Sequence, residues 1–133
     1  MFRVTEDDRE PREVAADVYL SDLAAGERAS MKFWRVEPGA TLPTHRHSNE
    51  QIGYVISGTL TALVEGEEHT LEPGDSYAFP SGELHGAENR GDEPAVGIGV
   101  LSPPRRSRRR ARPRTRGGRR GARRPRGRTR AGC

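Results

Sequence analysis

Three of the four histidines in this 133-residue chain stand at spacings suited to metal chemistry. His45 and His47 are two positions apart, so on an extended backbone both imidazoles leave one face and Arg46 leaves the other. Gln51 opens the next β-like run, and His85 opens another far along the chain. Two imidazoles from one strand, a carbonyl oxygen from its neighbour and a third imidazole from across a barrel would make an N3O pocket for a first-row transition metal. Glu50 and Gln51 are adjacent, so on a strand they leave opposite faces and only one of them can share that pocket. The pattern alone is weak, because a polar loop after Pro43 would carry His45 and His47 equally well.

Positioning these residues requires strands, and the chain from Ser30 onward is strand-like. Runs of β-formers at Met31 to Val36, Gln51 to Ile56, Thr59 to Val64, His69 to Leu71, Ser76 to Phe79, His85 to Asn89 and Ala95 to Leu101 are separated by turn residues such as Glu37-Pro38-Gly39, Ser57-Gly58 and Glu72-Pro73-Gly74-Asp75. Short strands at this spacing predict an all-β sandwich or barrel. Leu60, Ala62 and Val64 share one strand face, as do Val96, Ile98 and Val100, and both rows are expected to build an inward wall. Glu13 to Gly26 has no clean period and reads as a short strand or turn behind a charged lead-in. The expected organisation is a lead-in and peripheral strand over 1–29, a barrel over 30–104, and an arginine-rich tail over 105–133.

The glycines and prolines sharpen the histidine pattern. Gly39, five residues, His45-Arg46-His47, three residues, Gln51, six residues and Gly58 resemble the first motif of the cupin family. Gly74, five residues, Pro80, one residue, Gly82, two residues, His85, three residues and Asn89 resemble its second motif, and the 15 residues between Gly58 and Gly74 match the short gap of compact microbial cupins. The resemblance covers roughly Ser30 to Leu101. It implies a small antiparallel jelly-roll barrel, often dimeric, with one divalent transition metal near its centre, and His45, His47 and His85 match three of the family's ligand positions. Zinc, iron, nickel and manganese are not distinguished.

Gln51 stands where the family motif has Glu, a variant also found in cupins resembling the enzyme that linearises unsaturated uronates in pectin and alginate breakdown. A neutral carbonyl in place of an anion leaves the ion its full +2 charge, weakening retention but strengthening it as a Lewis acid. His69 matches no motif position and reads as a solvated strand residue among acids. Gly39, Gly58, Gly74 and Gly82 should supply turns at positive φ. Trp34, Tyr54, Tyr77 and Phe79 are expected as core filling, with Tyr77 or Tyr54 as a proton donor if either enters the cavity; no catalytic residue is assignable.

Charge divides the chain. Residues 1–104 hold 8 basic and 19 acidic side chains, a balance of −11, and residues 105–133 hold 15 arginines and no acid, giving the overall +4. The acidic body should repel polyanions, so nucleic acid would be bound only through the tail, by counterion release. The tail lacks aromatic and large aliphatic residues and is expected to be disordered alone. It can grip nucleic acid, fold back on the acidic body, or be the product of an out-of-frame read through GC-rich DNA. No apolar run approaches a membrane span and the start lacks a secretory pattern, so a cytoplasmic location is expected. The lone Cys133 excludes an internal disulfide framework.

The expected function is a metal-binding cupin acting on a small polar metabolite, a sugar acid or keto acid, by Lewis-acid chemistry. The alternatives are a non-catalytic ligand-binding or sensing module and a metal-dependent dioxygenase. Sensing would need a partner protein, because no DNA-reading domain fits ahead of Ser30. A homodimer is expected from the family and from the exposed edges of so small a barrel.

Overall fold

The computed structural model describes residues 1–104 as ten antiparallel strands in two facing sheets, the jelly-roll arrangement. The expectations for residues 105–133 lie outside the described residues. The strands are β1 (Arg12–Ala15), β2 (Val18–Ala25), β3 (Ser30–Val36), β4 (Thr41–His45), β5 (Glu50–Ser57), β6 (Leu60–Val64), β7 (Glu67–Leu71), β8 (Ser76–Phe79), β9 (His85–Glu88) and β10 (Ala95–Ser102). One sheet runs β1-β2-β3-β10-β5-β8 and the other β4-β9-β6-β7. Among the described residues the helical element is a single 3-10 turn, Glu6–Asp8. None of their helices is long and apolar enough to cross a membrane.

Val18, Val36, Val55, Leu60 and Ala95 are buried in the core between the sheets, where Val36 pairs with both Val18 and Ala95. Residues 13–26, without clear period in the sequence, form β1 and β2; the turn between them holds Asp17 at φ 61°, its N–H donating to Glu13 Oε2 over 2.8 Å.

The inward wall of β10 differs from expectation. Leu60 and Ala62 are buried as predicted, but Val96, Ile98 and Val100 lie on the outer face, and the inner positions are Ala95, Gly97, Gly99 and Leu101. The cause is steric. A Cβ at Gly97 would run into the Trp34 ring, and one at Gly53 of β5 would run into Tyr77, so the two large aromatics occupy the space that side chains on these strands would fill.

The motif glycines Gly39, Gly58, Gly74 and Gly82 all have positive φ, between 76° and 94°. At Gly58 this coincides with a close approach, since a Cβ there would strike the Pro94 carbonyl. Asn89 ties the two motifs together. It is 1% exposed; its Nδ2 donates to Val36 O (2.9 Å) and Glu93 O (2.7 Å), and its Oδ1 accepts from Gly91 N–H (2.9 Å). Its backbone exchanges bonds with Gly39 and Ala40 at 2.8 and 3.0 Å.

Candidate metal centre

Strands β4 and β9, with the loop after β4, bring the three histidines together. His45 ends β4 and pairs directly with His85, which begins β9. His47 lies two residues past β4, and its carbonyl accepts the Gly82 N–H over 2.9 Å, so the turn of the second motif pins the loop of the first. Ring centroids are 4.7 Å apart for His45 and His85, 4.9 Å for His47 and His85, and 5.4 Å for His45 and His47. One nitrogen from each ring lies within 4.8 Å of the others.

Hydrogen bonds settle which nitrogens face the centre. Each Nδ1 lies against a backbone carbonyl: Pro43 O for His45 (3.1 Å), Asn49 O for His47 (3.1 Å) and Glu83 O for His85 (2.9 Å). A carbonyl oxygen only accepts, so Nδ1 is the donor in each ring, and in the neutral form of the ring the lone pair lies on Nε2. The Nε2 of His85 is buried and has no hydrogen-bond partner among the described residues. Burial pushes the His85 pKa below the ordinary imidazole value and its neighbours His45 and His47 push the same way, against the bond to Glu83 O. Three imidazoles, each with a backbone carbonyl beside its Nδ1, fit a divalent first-row metal ion.

Gln51 lies on the cavity side of β5, half-buried, while Glu50 is exposed, as strand parity required. The Gln51 side chain hydrogen-bonds the Tyr77 hydroxyl, which also accepts the Trp34 Nε1–H over 3.1 Å. Burial raises the Tyr77 pKa above the usual phenol value, and the two bonds oppose that rise. Phe79 stacks on His85 with centroids 4.2 Å apart and planes within 10°. His69 is exposed on β7, outside the triad, 3.7 Å from Glu67.

Behind the histidines lies a cavity of about 390 Å³, walled mostly by apolar side chains such as Trp34, Leu42, Leu60, Tyr77 and Phe79. Of the four aromatics, three line it, and Tyr54 is exposed on the outer face. Two cations also reach it, Lys32 from β3 and Arg12 from β1, both paired with Asp22 Oδ1, at 2.7 and 2.8 Å. Partial burial acts to raise the Asp22 pKa, but Lys32 and Arg12 outweigh it and hold the carboxyl below its usual range. Lys32 and Arg12 escaped the sequence reading because both faces of β3 carry one cation and large apolar residues, Lys32 and Trp34 inside, Arg35 and Phe33 outside.

A sequence model of the cupin domain matches residues 32–101, just over half of the chain. The chain belongs to the cupin family. Among its relatives, this cupin is 35% identical over 74 residues to the H2HPP isomerase of Bacillus subtilis, covering 56% of this chain and 31% of that protein. It is 37% identical over 68 residues to the pectin degradation protein KdgF of Dickeya dadantii, covering 50% and 61%. The chain thus spans less than two thirds of either relative's length. The solved structure of KdgF from Halomonas superposes with a TM-score of 0.72 at 26% identity, covering 80% of this chain and 96% of that one.

Proposed function

We propose that this cupin holds one divalent transition metal on the Nε2 atoms of His45, His47 and His85, with the Gln51 carbonyl oxygen as fourth donor. In this reading it acts on a small polar acid, a sugar acid or keto acid, in the cavity alongside. The observation that carries the reading is the convergence of three imidazoles whose Nδ1 atoms are committed to carbonyls, one of them leaving a buried Nε2 without a partner among the described residues. When bound, the ion supplies a Lewis acid that polarises a carbonyl or hydroxyl oxygen. The chain's own residues do the rest. Pro43, Asn49 and Glu83 carbonyls hold the rings, Phe79 covers one face of His85, and a hydrogen bond with Tyr77 holds the Gln51 side chain. Relatives named for isomerisation and for pectin degradation support chemistry of this kind.

The test is a pair of substitutions. Gln51→Ala should weaken metal binding by at least the roughly tenfold to hundredfold that loss of a supporting partner costs at metal sites. Glu50→Ala, on the opposite strand face, should leave it near the parent value. Equal effects, read by competition with a chelating dye, would refute the assignment of Gln51.

We also propose that a second copy of the chain covers the outer face of the six-stranded sheet, where Met31, Ile52, Tyr54 and Ile56 are exposed. Pairing by a two-fold axis would bury these apolar side chains, which share the face with Arg35 and Glu50, in a body that over residues 1–104 carries 19 acids against 8 bases. Light scattering should give twice the 14.7 kDa chain mass, and a single-chain mass overturns this pairing.

A further inference from the structure

Lys32 is the one lysine of the chain, and it is 8% exposed on the cavity wall of a body whose charge is strongly negative. Lysine is almost never buried unless paired, and Lys32 has its counter-ion in Asp22, 2.7 Å away. Asp22 is shared, however, because Arg12 Nη2 lies 2.8 Å from the same oxygen. Two cations on one carboxylate leave a net +1 beside a mostly apolar cavity. Stability does not account for it, since a buried ion pair commonly gains little over apolar residues of the same size.

The placement relates this charge to the metal centre. Lys32 pairs across β3 and β10 with Gly99, and Gly99 pairs on its other side with Gly53 of β5, two residues from Gln51. Gly99 raises no side chain between them: a Cβ there would stand 3.6 Å from Gln51 Nε2 and 3.8 Å from the Tyr77 hydroxyl. The strands carrying Lys32 and Gln51 are therefore separated by two strand spacings, about 10 Å, with no β10 side chain between them at Gly99 and with the Tyr77 ring lying over Gly53. That is the reach of a five- or six-carbon acid, and the cavity of about 390 Å³ is in the size range of small-molecule sites.

We propose that Lys32, supported by Arg12, is a carboxylate anchor, so that the substrate is a small organic anion held by its acid group at Lys32 while its other oxygens face the three histidines. The anchor rests on the reading of the triad as the substrate-facing centre and adds what that reading lacks, a residue that selects for charge. The charge at this end of the cavity attracts a carboxylate and discriminates against a neutral molecule of equal size.

Calorimetry on the full, metal-loaded chain tests it with two matched pairs of probes, D-galacturonate against D-galactose and pyruvate against methyl pyruvate. The arginine tail is common to every variant, so its background cancels. At least one acid should bind the parent about tenfold or more tightly than its neutral counterpart, the scale of one charge-assisted hydrogen bond. Lys32→Met should erase that preference, leaving Asp22 paired with Arg12, and Lys32→Arg should restore most of it. Metal content, measured on the same samples, should be unchanged in both variants. The anchor is overturned if acid and neutral probes bind alike, if neither acid binds, or if the preference survives Lys32→Met. A parent protein that takes up no metal but still shows a Lys32-dependent acid preference would sink the metal reading and leave the anchor standing.

Discussion

Asn89→Ala is expected to lower the melting temperature by roughly 15 °C. The side chain is fully enclosed and makes three hydrogen bonds, to Val36 O, Glu93 O and Gly91 N–H, and alanine replaces none of them. Stranding the buried Val36 carbonyl costs about 1–3 kcal/mol, and the bonds to Glu93 O and Gly91 N–H, on exposed residues where water partly replaces them, add about 0.5–1.5 kcal/mol each, for a total of about 3 kcal/mol. In a domain of this size each kcal/mol shifts the melting temperature by about 4–8 °C. Asn89→Asp should be no better, because it keeps the acceptor for Gly91 but turns a carboxylate toward two carbonyl oxygens. The check is thermal unfolding followed by circular dichroism on metal-free samples, and a shift of only a few degrees would show that the three side-chain bonds of Asn89 do not hold this corner of the barrel.

His85→Phe should separate metal binding from folding in opposite directions. A free metal concentration a hundred times the dissociation constant stabilises the folded state by about 2.7 kcal/mol. Adding zinc to the metal-free parent should therefore raise its melting temperature by roughly 10–20 °C. His85→Phe should show no such rise, having lost a central donor. Without metal the variant should be as stable as the parent or more so, because it keeps a ring against Phe79 and removes a desolvated Nε2 that has no partner among the described residues, a defect worth about 1–3 kcal/mol. The exposed-side cost, loss of the Nδ1 bond to Glu83 O, is small because Glu83 is only half-buried. A parent and variant with the same zinc response would remove His85 from the centre.

The site was more legible in the sequence than the packing around it. His45, His47 and His85 could be read because ligand geometry constrains both residue type and spacing, and the turn glycines report positive φ that few other residues adopt. Gln51 could be preferred to Glu50 because a strand has a two-residue period and the motif sets the phase. That period failed on β10, where Val96, Ile98 and Val100 form the more apolar row yet face outward. Glycine carries no hydropathy signal, and Gly97 and Gly99 are inside only because Trp34 and Tyr77 arrive from other strands. The strands β1 and β2 were obscured by the non-glycine positive φ of Asp17 and by the register shift between Asp22 and Ala25. Lys32 was hidden for a related reason: a buried cation reads as an exposed one until the partner, ten residues earlier on the neighbouring strand, is known to face it.

The most direct test of the account is element-resolved metal content of the full chain, purified without a nickel column or chelator. The three converging Nε2 atoms predict about one equivalent of a single divalent transition metal per chain. A folded protein that carries none, and takes up none when zinc, iron, nickel or manganese is offered, would contradict the metal centre and leave a cupin barrel whose histidines meet its ligand directly.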